Sequence, residues 1–361
     1  MEQKEIMLFK ELCKCKSNTF DETLLEYATA HVLGQLFFNR MQGVAYGTLC
    51  RYGLLGQVNR EFRNSLKEAY EQNLKKNHSF EQCVKQIADI LFQNECQVAM
   101  LKGAWLCTHY PEGYRTSNDI DLLVRPEDVT TVGRVLENAG FCQGNIRNGI
   151  FIPATRREII TSKMMRGETV PYIKEVNLPE IKYLEVDINF SLDYKNSKTD
   201  ILEEMLKEVT IVEEKEIRIP TLRKEDFFLH LCAHLYKEAT TLWWVKMHRD
   251  MTFYKYCDIY MLLEELSEKE LAKLFARAKE LGMEKICGYA IVETTELFDI
   301  SAGAALQEAK KVLEKDPDFV LRVVSPEDKK CFNYQTKDIT KRFFMRERTD
   351  DLEEVKYNEK T

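Results

Sequence analysis

Glycine and proline are scarce, with 15 and 8 residues in a chain of 361, about half their usual share. A fold of many tight turns is therefore excluded, and long helices are expected instead. No stretch approaches the roughly 20 consecutive apolar residues needed to cross a bilayer, so a membrane-spanning protein is not expected. A basic stripe is missing too: 52 Lys and Arg stand against 59 Asp and Glu, a net charge of −7, and the two signs are interleaved. Sequence-wide nucleic-acid binding is disfavoured by that pattern. The opening MEQKEIMLFK has no apolar secretory segment behind its charges, and the eleven Cys include no C-x-x-C pair. The chain reads as cytoplasmic, with reduced thiols. Cys13 and Cys15 lie close together, but no second pair completes a tetrahedral zinc site. Phosphate-loop and kinase motifs are also absent.

What remains is globular: 44% of residues are apolar and 31% charged. The length suggests two packed units, or one core with a helical extension. The periodicity divides the chain into an N-terminal helical region at 1–95, a core at 96–222, a C-terminal helical region at 223–325 and a charged tail at 326–361. In the first region, Thr19 and Glu22 form a capping box ahead of Leu25, Ala28, Val32 and Leu36 at helical spacing. A second helix carries Val58, Phe62, Leu66 and Ala69 and ends in the polar run 73–77. Ser79 and Gln82 open a third, with Cys83, Ile87, Ile90 and Leu91 on one face.

From Gln97 the pattern changes to strand, helix, strand, helix. Val98 to Leu101 form a short apolar strand ending at Lys102 and Gly103, and a short helix is expected at 104–110. DIDLLV, from Asp119, is the next strand. Pro126 suits the first turn of the following helix, which buries Val129, Val132 and Leu136, and Gly140 stands where a left-handed residue closes a helix. Strands are expected near 150–152 and 170–173, and LEVDINF, from Leu184, is the clearest of all. A helix near 201–209 and a hairpin near 211–219 precede an all-helical stretch from 224 to about 313. The tail beyond Ser325 is highly charged and is expected to end in an exposed helix or a disordered segment.

The acids on the strands carry the chemistry. Alternate side chains of a strand face opposite ways, so Asp119 and Asp121 share a face while Ile120 and Leu122 fill the other. Their Cα atoms should lie roughly 6.5–7 Å apart, a spacing at which carboxylates can converge on divalent cations about 3.5–4 Å apart. LEVDINF repeats the alternation, with Glu185, Asp187 and Asn189 opposite Val186, Ile188 and Phe190. The competing reading is an amphipathic sheet with acids on its wet face. Against it, Asp is a poor strand former, so two in alternation need a reason. Amides at the strand-to-helix turn of Lys102 and Gly103 can also bind phosphate, Gly allowing close approach and Lys adding charge.

These residues carry a family resemblance. LKGAWLCTHYPEGYRTSNDIDLLVRPEDVTTVGRVLENAGF, continued in LEVDINFSL and FFLHLCAHLYKEA, resembles the core of the uncharacterised bacterial nucleotidyltransferases of the DNA polymerase β-like superfamily, over residues 85–265. The resemblance implies an α+β fold, a mixed sheet flanked by N-terminal and C-terminal helical regions. It implies Mg²⁺ (or Mn²⁺) dependence, ATP or another nucleoside triphosphate as donor, and transfer of a nucleoside monophosphate to an acceptor with release of pyrophosphate. It assigns Asp119, Asp121 and Asp187 as metal ligands and catalytic residues, with Asp187 near the acceptor hydroxyl. Gly103 and neighbouring amides would hold the β and γ phosphates, with Lys102 a candidate phosphate contact. Arg115 would be either a phosphate ligand or a brace for its loop, and Ser117 and Asn118 would cap that loop or touch a metal-bound water. The chain departs from the commoner superfamily pattern in having Lys102 and Gly103 where Gly-Gly or Gly-Ser is usual, and Asn189 and Phe190 where many relatives have His and Trp.

Other residues are weaker candidates. His230, His234 and Lys237 share a helix face and are either packed or directed at substrate; the two His lack the adjacent Glu of a zinc peptidase. Trp243 and Trp244 either pack or stack on a base. Arg156, Arg157, Lys163 and Arg166 either receive an anionic acceptor or form a solvated face. The acceptor is open, with a small molecule, peptide or protein favoured over nucleic acid. The alternative to an enzyme is a catalytically inactive nucleotidyltransferase-like module that binds a nucleotide or a protein.

Overall fold

The computed structural model describes residues 1–165, 167–192, 200–300 and 303–356. Its contacts define two compact units, one made of Met1–Leu66 with Phe228–Thr361 and the other of Lys67–Phe227. The fold is α+β, as the sequence predicts. Within the described residues, no helix is long and apolar enough to cross a membrane.

The chain opens with helices α1 (Gln3–Cys13), α2 (Ala30–Phe38), α3 (Gln42–Arg51) and α4 (Arg60–Gln93). Two sequence expectations need correction here. The helix read from Thr19 onward is divided: Asp21 caps a 3₁₀ turn at Glu22–Tyr27, and Thr29 caps α2 by accepting from the Val32 amide at 3.3 Å. Conversely, the polar run 73–77 ends nothing, and α4 continues through it for 34 residues. Its sequence contains neither Gly nor Pro, so nothing in the backbone forces a break, and polar residues end a helix only when they are used as caps.

The 67–227 unit holds β1 (Ala99–Met100), α5 (Gly103–His109), β2 (Asp119–Leu123), α6 (Val129–Asn138), β3 (Cys142–Arg147), β4 (Ile150–Pro153), α7 (Arg156–Met165), β5 (Tyr172–Leu178), β6 (Ile181–Asn189), α8 (Asp200–Leu206), β7 (Val209–Glu214) and β8 (Ile217–Leu222). Six strands form one mixed sheet in the order β1-β2-β6-β5-β3-β4. The β2–β6 pair is parallel, and the others are antiparallel. Alternation sets the sheet's two faces: Ile120, Leu122, Leu184, Val186 and Ile188 are fully buried, whereas Asp119, Glu185, Asp187 and Asn189 keep partial exposure. Burying each such aliphatic side chain contributes about 1.5–3 kcal/mol, which holds the opposite, acidic face in place. Helix α6 buries Val129, Val132 and Leu136, and Gly140 closes it at φ +89°. Pro126 lies ahead of that helix rather than in its first turn. The β7–β8 hairpin is tied to β1 by the Thr221 hydroxyl, which donates to the Met100 carbonyl at 2.7 Å.

The other unit is completed by α9 (Lys224–Ala239) from Phe228 onward, α10 (Leu242–Lys246), α11 (Phe253–Leu263), α12 (Glu268–Glu280), α13 (Glu284–Phe298), α14 (Gly303–Leu313), β9 (Arg322–Ser325), β10 (Lys330–Tyr334), α15 (Ile339–Phe343) and β11 (Leu352–Val355). The charged tail is built into this unit as far as it is described, to residue 356, and the expectation for its end falls on residues 357–361, outside the described residues. Its β10 and β11 complete a three-stranded antiparallel sheet with β9, in the order β11-β10-β9, and two of its arginines are paired and buried. Arg342 donates to both carboxylate oxygens of Glu293, at 3.0 and 2.7 Å. Arg348 does the same to Asp250, at 2.9 and 2.6 Å. Phe344 and Phe253 both meet Phe9 edge to face, at 5.4 and 4.9 Å between centroids, so the tail and α1 share one aromatic core.

Candidate active site

Asp121 and Asp187 are register partners on the parallel strands β2 and β6, as are Asp119 and Glu185. Neighbouring strands lie about 4.8 Å apart and in-register side chains face the same way, so four carboxylates occupy one patch of the sheet. Glu168 adds a fifth acid at the edge, through its bridge to Asn189. Burial pushes the carboxyl of Asp187 well above the ordinary Asp value, and the charges of Asp121, Asp119, Glu185 and Glu168 push it further. Glu185 is raised as well, by burial and by Asp119.

Among the described residues, Lys102 brings a cation into this patch. The Lys102 ammonium lies 2.8 Å from Asp121 Oδ1, an oxygen that also accepts from Asn189 Nδ2 at 3.2 Å. Burial opposes the charged form of Lys102, but Asp121, Asp119 and Asp187 together outweigh it and raise its pKa above the ordinary lysine value. The geometry that delivers Lys102 is local. The Leu101 amide donates to the Asp121 carbonyl at 2.9 Å, extending the β1–β2 ladder by one residue. The backbone then reverses at Lys102, with φ 45° and ψ −116°, before Gly103 starts α5. That combination is occupied almost only by Gly.

Gly103 is required for a different reason. A Cβ there would stand 2.5 Å from both Cβ and Oγ of Ser117. Ser117 in turn donates to Asp119 Oδ1 at 2.9 Å, so the glycine lets the loop ahead of β2 approach closely enough to hold the first acid. The rest of the loop is braced from α4, which sequence reasoning missed. Asn73 donates to the Gly113 carbonyl at 2.9 Å, Asn77 accepts from the Gly113 amide at 2.9 Å, and Asn77 donates to the Arg115 carbonyl at 2.7 Å. Lys76 bonds the Asn118 side chain. Arg115 is buried and its guanidinium donates to the Thr116 carbonyl. The available signal was the spacing of Asn73, Lys76 and Asn77, three to four apart on a helix that nothing breaks.

The structure thus brings together Asp119, Asp121, Asp187, Lys102, Gly103 and Ser117, with Arg115 and Asn118 in the braced loop. His230, His234 and Lys237 lie on α9, in the other compact unit. There His230 is buried and His234 Nε2 lies 3.5 Å from Glu238 Oε1. Trp243 is exposed on α10. Arg156 and Arg157 are exposed on α7 with Lys163 half-buried, and Arg166 lies outside the described residues. Among the described residues, no three His, Cys, Asp or Glu side chains are already arranged to hold a metal ion. The donor set of the acidic patch nonetheless suits a hard divalent cation: its acids offer carboxylate oxygens, and the charges of Asp121, Asp119, Glu185 and Glu168 all bear on Asp187.

A mixed sheet thus carries acids on adjacent parallel strands beside a lysine–glycine turn, the arrangement that the sequence resemblance implies. A family model described as an uncharacterised nucleotidyltransferase matches residues 28–299, about three-quarters of the chain, and the protein belongs to that family. The match extends past both ends of the resemblance read from the sequence and includes every candidate site residue. A search of curated proteins returned no match.

Proposed function

We propose that the protein is a Mg²⁺- or Mn²⁺-dependent nucleotidyltransferase that moves a nucleoside monophosphate from a nucleoside triphosphate to an acceptor hydroxyl or similar group. The observation that carries this reading is the register pairing of Asp121 with Asp187, with Asp119 one alternation away on β2. Asp119, Asp121 and Asp187 would hold the cations, which when bound stabilise charge on the attacking and leaving oxygens. Asp187 would help the acceptor lose its proton as its oxygen bonds to the α-phosphorus and the bond to the pyrophosphate breaks. Lys102 and the Gly103 amide would contact the β and γ phosphates. Ser117 would keep Asp119 oriented, and the braced Arg115 loop would hold the approach rigid. The acidic net charge favours a small molecule, peptide or protein over nucleic acid as acceptor.

The test is a panel of α-labelled nucleoside triphosphates incubated with Mg²⁺ or Mn²⁺, protein and cell extract, with Asp119→Asn, Asp121→Asn and Asp187→Asn as controls. Pyrophosphate release with label transfer, abolished in all three variants, is expected. Metal-dependent nucleotide binding with no release under any acceptor would instead favour an inactive binding module.

A further inference from the structure

We propose that Lys102 is the acidic patch's built-in counter-ion, and that it exchanges places: a divalent cation displaces its ammonium from Asp121, and the freed side chain turns to the triphosphate. The proposal rests on the reading of Asp119, Asp121 and Asp187 as cation ligands, and it adds a coupling between cation entry and phosphate binding that the ligand set alone does not require.

Three observations converge on it. The ammonium sits 2.8 Å from Asp121 Oδ1, on a carboxylate that the proposed cation site also uses. A divalent cation and an ammonium held on one carboxylate repel strongly at that range, so occupation by one disfavours the other. Second, Asp121 is prepared for the departure: Asn189 Nδ2 already donates to the same oxygen at 3.2 Å, a neutral donor that keeps the carboxylate oriented with no charge of its own. Third, the backbone at Lys102 is held at φ 45° and ψ −116°, a conformation that costs a side-chain-bearing residue about 1–3 kcal/mol. Glycine would adopt it without strain, as Gly103 could in the next position. A lysine kept there has a use for its side chain that offsets the strain. The Leu101 amide bond to the Asp121 carbonyl, at 2.9 Å, anchors the chain just before Lys102, so the flexible four-carbon stem can swing while the turn stays fixed.

The experiment uses the full-length protein, with Mn²⁺ and inorganic tripolyphosphate as probes. Mn²⁺ binding is followed by electron paramagnetic resonance in wild type, Lys102→Met and Lys102→Gln, with Asp121→Asn as the control. Acylation of Lys102 by an amine-reactive ester is read in parallel by peptide mass spectrometry on the wild type alone. With no phosphate present, both Lys102 variants should bind Mn²⁺ at least about tenfold more tightly than wild type. Acylation of wild-type Lys102 should rise when Mn²⁺ is added and fall again with tripolyphosphate. Equal or weaker Mn²⁺ binding by the variants, or a Lys102 acylation rate indifferent to Mn²⁺, overturns the exchange while leaving the cation site standing. Mn²⁺ binding that survives Asp121→Asn unchanged would overturn the underlying reading and the exchange with it.

Discussion

Gly103→Ala offers the sharpest check on how the acidic patch is assembled. The new methyl group would lie 2.5 Å from both Cβ and Oγ of Ser117, where ordinary carbon contacts begin near 3.5 Å. Neither side can yield cheaply, because Gly103 begins α5 and Ser117 is bound to Asp119 at 2.9 Å. Overpacking of this kind costs typically 1–3 kcal/mol. The Cβ of Ser117 is half of the clash, so Ser117→Ala leaves it in place while Ser117→Gly removes it. In a double-mutant cycle, Gly103→Ala with Ser117→Gly should therefore show a favourable coupling of about 1–3 kcal/mol, and Gly103→Ala with Ser117→Ala clearly less. Of the three Trp, only Trp105 belongs to the 67–227 unit. Urea unfolding followed by fluorescence in a Trp243→Phe/Trp244→Phe background then reports on that unit alone. A Gly103→Ala change of less than about 0.5 kcal/mol, or equal coupling with both Ser117 variants, would refute the close approach.

Three further outcomes are expected. Lys102→Gly and Lys102→Ala both remove the ammonium, so their difference isolates the backbone; Gly should be the more stable by about 1–3 kcal/mol in urea unfolding, the reverse of the usual order. Asn77→Ala strands the Gly113 amide and the Arg115 carbonyl, each a buried bond below 3 Å; it should cost about 2–4 kcal/mol and loosen amide hydrogen exchange in the 113–118 loop, whereas unchanged exchange there would dismiss the brace. Glu293 is pushed up to about 7 by burial, against the pull of Arg342. Because its folded pKa is raised, the proton it holds stabilises the fold fully below the unfolded value of about 4.5, and that contribution fades as pH rises through about 7. Wild type minus Glu293→Gln stability, followed by Trp243 and Trp244 fluorescence, should fall by no more than about 3 kcal/mol across that interval, and a flat difference would contradict the assignment.

The parts of the site legible in the sequence are those that depend on short-range sterics. A strand turns alternate side chains to opposite faces whatever it pairs with, so the shared face of Asp119 and Asp121, and that of Glu185, Asp187 and Asn189, could be read directly. The same holds for the α6 stripe and for the glycine that closes it. Polar composition was the less faithful guide. The run 73–77 looks like a helix end, but in the folded unit it is the face of α4 that braces a loop some forty residues away. The tail's charges look solvated, but two of its arginines find buried carboxylates on segments distant in sequence.

By itself, then, the sequence determined which side chains share a face and that an α+β core lies between helical regions. Only the tertiary structure decided that β2 and β6 run parallel with Asp121 opposite Asp187, and that Lys102 folds back onto that pair. The reason is range. Side-chain alternation is a property of a few consecutive bonds, whereas register and ion pairing are settled by burial and charge across segments that meet only when the whole unit closes.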